Sequence, residues 1–139
     1  MKVTIISLAA CALILVSCSL VDNDAAEPET LPELKIIGMW NWVESINGWT
    51  GRKVLPDSEG YTQQLHFNKD GSFSHFRADT LVKSGTYALT EQDDHLVMSY
   101  EFEGQGLYPD QRVTFKTYDR IELIYLCIDC QSSTYERIQ

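Results

Sequence analysis

The chain has 139 residues, 44% of them hydrophobic, and a formal net charge of −9 from 20 acidic and 11 basic residues. That length bounds the protein to one modest domain with short flanking segments. The acidic balance weighs against nucleic acid, whose affinity comes from lysine and arginine neutralising phosphates, and against a polybasic contact with anionic lipid.

Met1-Lys2 opens the chain, followed by a fourteen-residue apolar run from Val3 to Val16 and then Ser17-Cys18. A bilayer-spanning helix needs about 20 residues, so the run is too short to cross. One positive residue, a short apolar region and small residues at a cleavage point describe a secretory signal over residues 1–17. Leu15-Val16-Ser17-Cys18 resembles the lipobox of bacterial lipoproteins, in which Cys18 becomes the acylated mature N-terminus. An ordinary signal peptide with Cys18 left as a free thiol is the alternative. In lipoproteins of this kind the attached acyl chains are several, and each buried CH₂ contributes about 0.8 kcal/mol, so attachment is lasting. Ser19 after the cysteine, rather than Asp, implies the outer membrane by the sorting rule of such lipoproteins. Which side of that membrane the protein faces is left open.

Residues 18–34 read as a tether. Asp22, Asp24, Glu27, Glu29 and Glu33 stand with Pro28 and Pro32 and no basic residue, a composition too polar and too uniformly charged to order itself. Ser19 to Leu34, the sixteen residues that follow Cys18, reach about 50 Å when extended.

From Lys35 onward no stretch sustains a 3.6-residue apolar period, and strand-length runs are separated by turn clusters. Ile36 to Ile46 reads as the first strand. A long loop with Gly and Pro follows, then Tyr61 to Phe67, in which Leu65 and Phe67 alternate with Gln64 and His66. Asn68-Lys69-Asp70-Gly71 is a hairpin turn, returning through Ser72 to Ala78. Leu81 to Thr90 comes next, then the Glu91–Asp94 turn into His95 to Phe102, where Leu96, Met98, Tyr100 and Phe102 share one face. A further Gly- and Pro-bearing loop leads to Gln111 to Tyr118. Asp119-Arg120 then turns the chain into Ile121 to Ile128, and Ser133 to Ile138 closes the series. Eight strands joined by mostly short loops make an antiparallel meander. Eight is also the number at which a sheet can close on itself and remove its edges. An all-β, up-and-down barrel over residues 35–139 is therefore the first expectation, and a two-sheet sandwich the second.

Within that frame the three tryptophans separate. Gly38-Met39-Trp40 is a G-x-W on the first strand of an eight-stranded meander, and it resembles the lipocalin signature. The ordered series GMWNWVES, LHFNKDGSF, SGTYALT and IELIYLC, ending in YERI, is similar to small lipocalin-like lipoproteins of Bacteroidota over roughly residues 36–138. The resemblance implies that Gly38 and Trp40 are structural, with Trp40 plugging the closed end of the barrel. Trp42, two residues on, shares its face and should also be interior. Trp49, between Gly48 and Thr50-Gly51, is either an anchor for the first long loop or a residue at the barrel mouth. The chain is shorter than large lipocalins and lacks their C-terminal helix, which leaves less room for a ligand.

Four cysteines reduce to two once Cys11 leaves with the signal and Cys18 takes lipid. Cys127 and Cys130 then form a CxxC in an exported protein, read first as a disulfide across a tight turn. Two thiols, or metal or redox chemistry, are the alternatives. Redox chemistry wants a helix N-terminus to lower a thiol pKa, and the residues after Cys130 read as turn and strand. Zinc wants about four ligands, and the histidines at 66, 75 and 95 are scattered. His66 and His75 flank the Asn68–Gly71 hairpin and would meet if both pointed outward, but two histidines make a weak site, so no metal is expected. Asp93-Asp94-His95 reads as a solvated turn entering a strand.

No G-x-S-x-G, H-E-x-x-H or phosphate-binding glycine loop occurs, so neither an enzyme nor a cofactor is expected. What remains is a binding module or an interaction protein. In the first, a small hydrophobic or amphipathic ligand sits at the barrel mouth, oriented by Trp49, Arg77, Tyr87, Tyr100 and Tyr125. Tyrosine supplies a ring for packing and a hydroxyl for orientation, and Arg77, if turned inward, would meet an anionic head. In the second, the barrel is filled and its outer face or loops contact a protein or glycan. No particular protein partner is indicated.

Overall fold

The structure is a computed structural model, described here for residues 32–102 and 108–139. The expected signal peptide over residues 1–17, the acylated Cys18 and the tether as far as residue 31 lie outside the described residues, as does the middle of the second Gly- and Pro-bearing loop.

A short helix α1 (Pro32–Ile36) leads into strand β1 (Gly38–Ile46). A two-residue strand β2 (Lys53–Val54) and one helical turn α2 (Pro56–Glu59) occupy the first long loop. The hairpins that follow are β3 (Gln63–Phe67) with β4 (Ser72–Arg77), then β5 (Thr80–Gln92) with β6 (His95–Glu101). Strands β7 (Gln111–Thr117), β8 (Arg120–Tyr125) and β9 (Ser132–Arg137) complete the chain. Each strand from β3 to β9 pairs antiparallel with the next, β1 pairs β3, and β9 returns to β1 in the register Trp40↔Arg137 through Ile46↔Ser132. The result is a closed eight-stranded antiparallel barrel of meander order, as the periodicity predicts. Strand β2 pairs Ser45 and Ile46, taking up the edge of β1 beyond its contact with β3.

Local chemistry sets the turns. Ala78-Asp79 and Asp93-Asp94 each place two successive residues at positive φ, 46° and 60° in one and 45° and 64° in the other. This is the mirror-image turn whose twist matches paired strands, and aspartate tolerates it. In the Asn68–Gly71 turn, Asp70 Oδ1 accepts from the Ser72 backbone N–H and hydroxyl, while Gly71 supplies a φ of 82°. These hydrogen bonds hold the Asp70 carboxyl below its ordinary pKa.

Alternation decides what faces inward. Leu65 and Phe67, Phe73, Met98, Ile121 and Leu123 are all essentially inaccessible, each such burial contributing about 1.5–3 kcal/mol. Between Trp42 and Glu44 the β1–β9 register shifts by one residue, a bulge that turns Ser45 inward after Trp40 and Trp42.

One end of the barrel is closed. Ile36 and Trp40 are fully buried there, and the Trp40 indole Nε1 donates to the Ile36 carbonyl at 2.8 Å. The Arg137 guanidinium lies 4.2 Å from the Trp40 ring centroid and 4.9 Å from that of Tyr118. It donates from Nη1 to the Ile37 carbonyl at 2.7 Å and from Nη2 to the Lys35 carbonyl at 2.6 Å. Gly38 has a φ of 138°, and a Cβ there would stand 2.5 Å from Arg137 Nη1. The backbone conformation requires the G-x-W glycine, and any side chain there would also have to displace the tip of Arg137.

Three expectations need correction. The first strand begins at Gly38, not Ile36, and residues 32–34 of the expected tether are helical. Ile36 is apolar because it plugs the barrel end, which a run of apolar residues cannot distinguish from a strand. Strand β8 ends at Tyr125, since the chain leaves the sheet into the disulfide turn. Finally, Leu65 pairs His75 and His66 pairs Ser74, so the two histidines face opposite sides of the sheet. His75 points in beside Phe73, while His66 stacks outside on Phe76 at 4.7 Å.

Candidate ligand site at the open end

The opposite end carries the long loops. Residues 47–62, the Ala78-Asp79 turn, the β6–β7 loop and the β8–β9 turn all emerge there. Cys127 and Cys130 are joined as a disulfide, with Cα atoms 5.4 Å apart, and they close the last of these turns. A Cβ on Gly48 would collide with the backbone of Asp129 and Cys130, so the first loop is seated directly on the disulfide turn. Asn47 Oδ1 stiffens it by accepting from the Thr50 backbone N–H and hydroxyl at 2.9 and 3.0 Å.

The interior changes character toward this end. Around the closed end it is aliphatic and aromatic; in the open half it is tyrosine, amide, hydroxyl and cation. Trp42 stacks on Tyr61 at 5.9 Å and donates from Nε1 to Ser45 Oγ at 2.8 Å. Ser45 Oγ meets Ser133 Oγ at 2.7 Å across the β1–β9 seam, and Gln131 donates to Ser133. The Tyr100 hydroxyl donates to Gln111 Oε1 at 2.7 Å, while its ring packs edge-on against Phe73 and Tyr108 at 4.9 and 4.5 Å. Tyr108 also reaches Phe102 and His75.

Burial pushes the phenols of Tyr100, Tyr108, Tyr125 and Tyr135 upward, well upward for Tyr100 and Tyr135, so all four stay protonated at neutral pH. Tyr61, Tyr108 and Tyr125 lie near enough to Tyr135 that a charge on any of them would oppose its ionisation. His75 is held down to about 4, first by burial and then by the positive charges of Lys83 and Arg77. It is therefore neutral at pH 7, and its Nε2 meets Gln63 Oε1 at 3.0 Å.

The residues singled out from sequence divide accordingly. Tyr100 and Tyr125 do line the open half. Arg77 stands exposed at the rim, its guanidinium 3.7 Å from the Tyr61 ring centroid. Trp49 projects from the braced loop and is 79% exposed, so Gly48, not Trp49, anchors that loop. Tyr87 belongs elsewhere: its hydroxyl donates to the Asn68 carbonyl at 3.1 Å and its ring packs edge-on against Phe67, at the closed end. It buttresses a hairpin and is not part of the mouth. Its inward face follows from alternation, but which end it serves depends on strand tilt, which alternation does not carry.

Missed by sequence reasoning were Tyr61, His75, Lys83 and Tyr108, and at the other end Arg137. Lys83 had a signal, since it falls two residues before Gly85 and four before Tyr87 on the inward face of β5. Tyr108 had none, being in a loop.

A groove of about 560 Å³ also marks the outer wall, lined in part by His95, Arg112, Lys116 and Glu122, where β6–β7 pairing stops at Leu96↔Val113. Among the described residues no three His, Cys, Asp or Glu side chains converge as metal ligands. No protein-family model, no curated protein and no solved structure matches the chain.

Proposed function

We propose that this is a lipid-anchored protein of the bacterial cell envelope, attached through Cys18 to the outer membrane, whose lipocalin-like barrel binds a small amphipathic molecule at its open end. The observation that carries the reading is the change of lining along one interior. Apolar side chains close one end, whereas Tyr61, Tyr100, Tyr108 and Tyr125 bring rings and hydroxyls together toward the other, with Tyr135 at mid-barrel opposite Ile121. Ligand sites are mostly apolar concavities with a few orienting polar groups, and a cluster of tyrosines offers both. Aliphatic packing continues up to this region, with Met98 opposite Gln111 and Leu123 opposite Ser133, and beyond it the tyrosines take over.

Native mass spectrometry of the full chain released from membranes tests the reading, with small-molecule mass determination on whatever co-purifies. A bound amphipath lost on Tyr100→Leu supports it. A consistently empty protein that saturates with no member of a broad lipid panel overturns it. The latter result favours the second reading, a filled barrel that contacts a protein or glycan. Trp49 at 79% and Ile128 at 94% exposure on adjoining rim loops are the feature that suits such a contact.

A further inference from the structure

The open half carries two cations as well as its tyrosines. Lys83 lies opposite His75 in the β4–β5 register, on the inward face. Its Nζ stands 4.0 Å from the Phe102 ring centroid and 4.7 Å from that of Tyr108. Arg77 rests on Tyr61 at the rim. Among the described residues Lys83 and Arg77, like Lys35, Arg52, Lys69 and Arg112, have no carboxylate within 4.0 Å; what sets these two apart is that both rest on aromatic rings at the mouth. Two cations at one mouth, each on an aromatic ring and neither with a carboxylate neighbour among the described residues, make the local potential positive.

We propose that the open half of the barrel selects anionic ligands, with Lys83 and Arg77 receiving a carboxylate or sulfonate head and the aromatic rings of Tyr61, Phe102 and Tyr108 receiving the apolar body. This rests on the ligand-binding reading above and names its chemical class. The groups around the head agree with it. Protonated phenols donate hydrogen bonds and carry no opposing charge. His75, held down first by burial and then by the same two cations, is neutral and adds no charge of its own. An aromatic cluster by itself suits a cationic head as well, but an ammonium group here would meet the like charges of Lys83 and Arg77.

Three probes of one size separate the possibilities: naphthalene-2-sulfonate, the neutral naphthalene-2-sulfonamide, and a naphthyl trimethylammonium ion. They are titrated calorimetrically at pH 7 into the full chain held in a neutral maltoside detergent. The sulfonate should bind at least tenfold more tightly than the sulfonamide, and the ammonium ion should show no saturation. Lys83→Met should weaken the sulfonate about tenfold or more, the range of a lost charge-assisted contact, and leave the sulfonamide unchanged. Lys83→Arg should retain the preference, and Lys69→Met, on the closed-end hairpin, should change nothing. Equal affinity for sulfonate and sulfonamide overturns the charge preference while leaving a binding site standing. Saturation by the ammonium ion overturns it outright. If none of the three binds, the ligand-binding reading falls with it.

Discussion

Replacing Arg137 with methionine keeps much of the side-chain bulk and removes the guanidinium that fastens the closed end. Two charge-assisted bonds are lost, to the Ile37 carbonyl at 2.7 Å and the Lys35 carbonyl at 2.6 Å. Hydrogen bonds to charged groups contribute about 1.5–3 kcal/mol each. The stack on Trp40 at 4.2 Å adds about 1–2 kcal/mol in a partly desolvated site. Against this, Arg137 Nε is buried without a hydrogen-bond partner among the described residues, a cost of roughly 1 kcal/mol that methionine relieves. Asp119 is 3.7 Å from that nitrogen and half-exposed, so its pairing counts for little. Part of the gross gain is also returned when the freed carbonyls hydrate, leaving a net loss of ~3–4 kcal/mol. With a urea dependence of about 2 kcal/mol per molar, the unfolding midpoint should fall by roughly 1.5–2 M. Arg137→Lys keeps the charge without the fork and should recover less than half. A shift under about 0.3 M for the methionine variant would refute the clamp, since surface substitutions stay within about 0.5 kcal/mol.

Three further outcomes are expected. Trp40→Ala should cost about 3–5 kcal/mol in urea or fail to fold, while Trp49→Ala should cost under about 0.5 kcal/mol; equal small losses would undo the placement of Trp40 at the closed end. His75 has its folded value depressed to about 4, below its unfolded value, so the unfolded chain takes the proton first. Stability from this group is complete above about pH 6.5 and is lost as pH falls toward 4, by ~1–2 kcal/mol after allowing for its partial exposure. Urea midpoints of wild type and His75→Gln at pH 7 and pH 5 measure the difference, and parallel slopes would contradict it. Cys18→Ser should release the protein from membranes or leave it as unprocessed precursor, and unchanged fractionation with the same processed mass would remove the anchor.

What could be seen in the sequence was what depends on near neighbours. Alternation in Leu65–Phe67 and Ile121–Leu123 assigned faces, Asn68–Gly71 and Asp93-Asp94 assigned turns, and the count of short runs assigned closure. The opposed faces of His66 and His75 were equally legible, because Leu65 and Phe73 fix the parity of their strands. What depends on tilt and closure was not. Tyr87 and Tyr100 lie opposite one another on β5 and β6, yet one hydroxyl serves the Asn68 carbonyl at the closed end and the other serves Gln111 in the open half. Arg137 carried no readable role, because its partners, Lys35, Ile37 and Trp40, are about a hundred residues away and meet it only when β9 closes on β1.

The two ends differ in how far their polar groups satisfy one another. Closure at one end is made by groups that satisfy one another: Trp40 with Ile36, Arg137 with two carbonyls, Tyr87 with Asn68. Their hydrogen-bonding capacity is spent inside the protein, so a ligand there would have to displace bonds already made. At the other end Lys83 and Arg77 have rings beneath them and no described carboxylate beside them, so a ligand adds bonds without breaking any. The described chain also enters at the closed end through α1, opposite the proposed ligand site. Stability and affinity should then respond to different substitutions, Arg137→Met moving the urea midpoint and Lys83→Met moving the dissociation constant. A barrel whose open half were merely an extension of its core would show the two moving together.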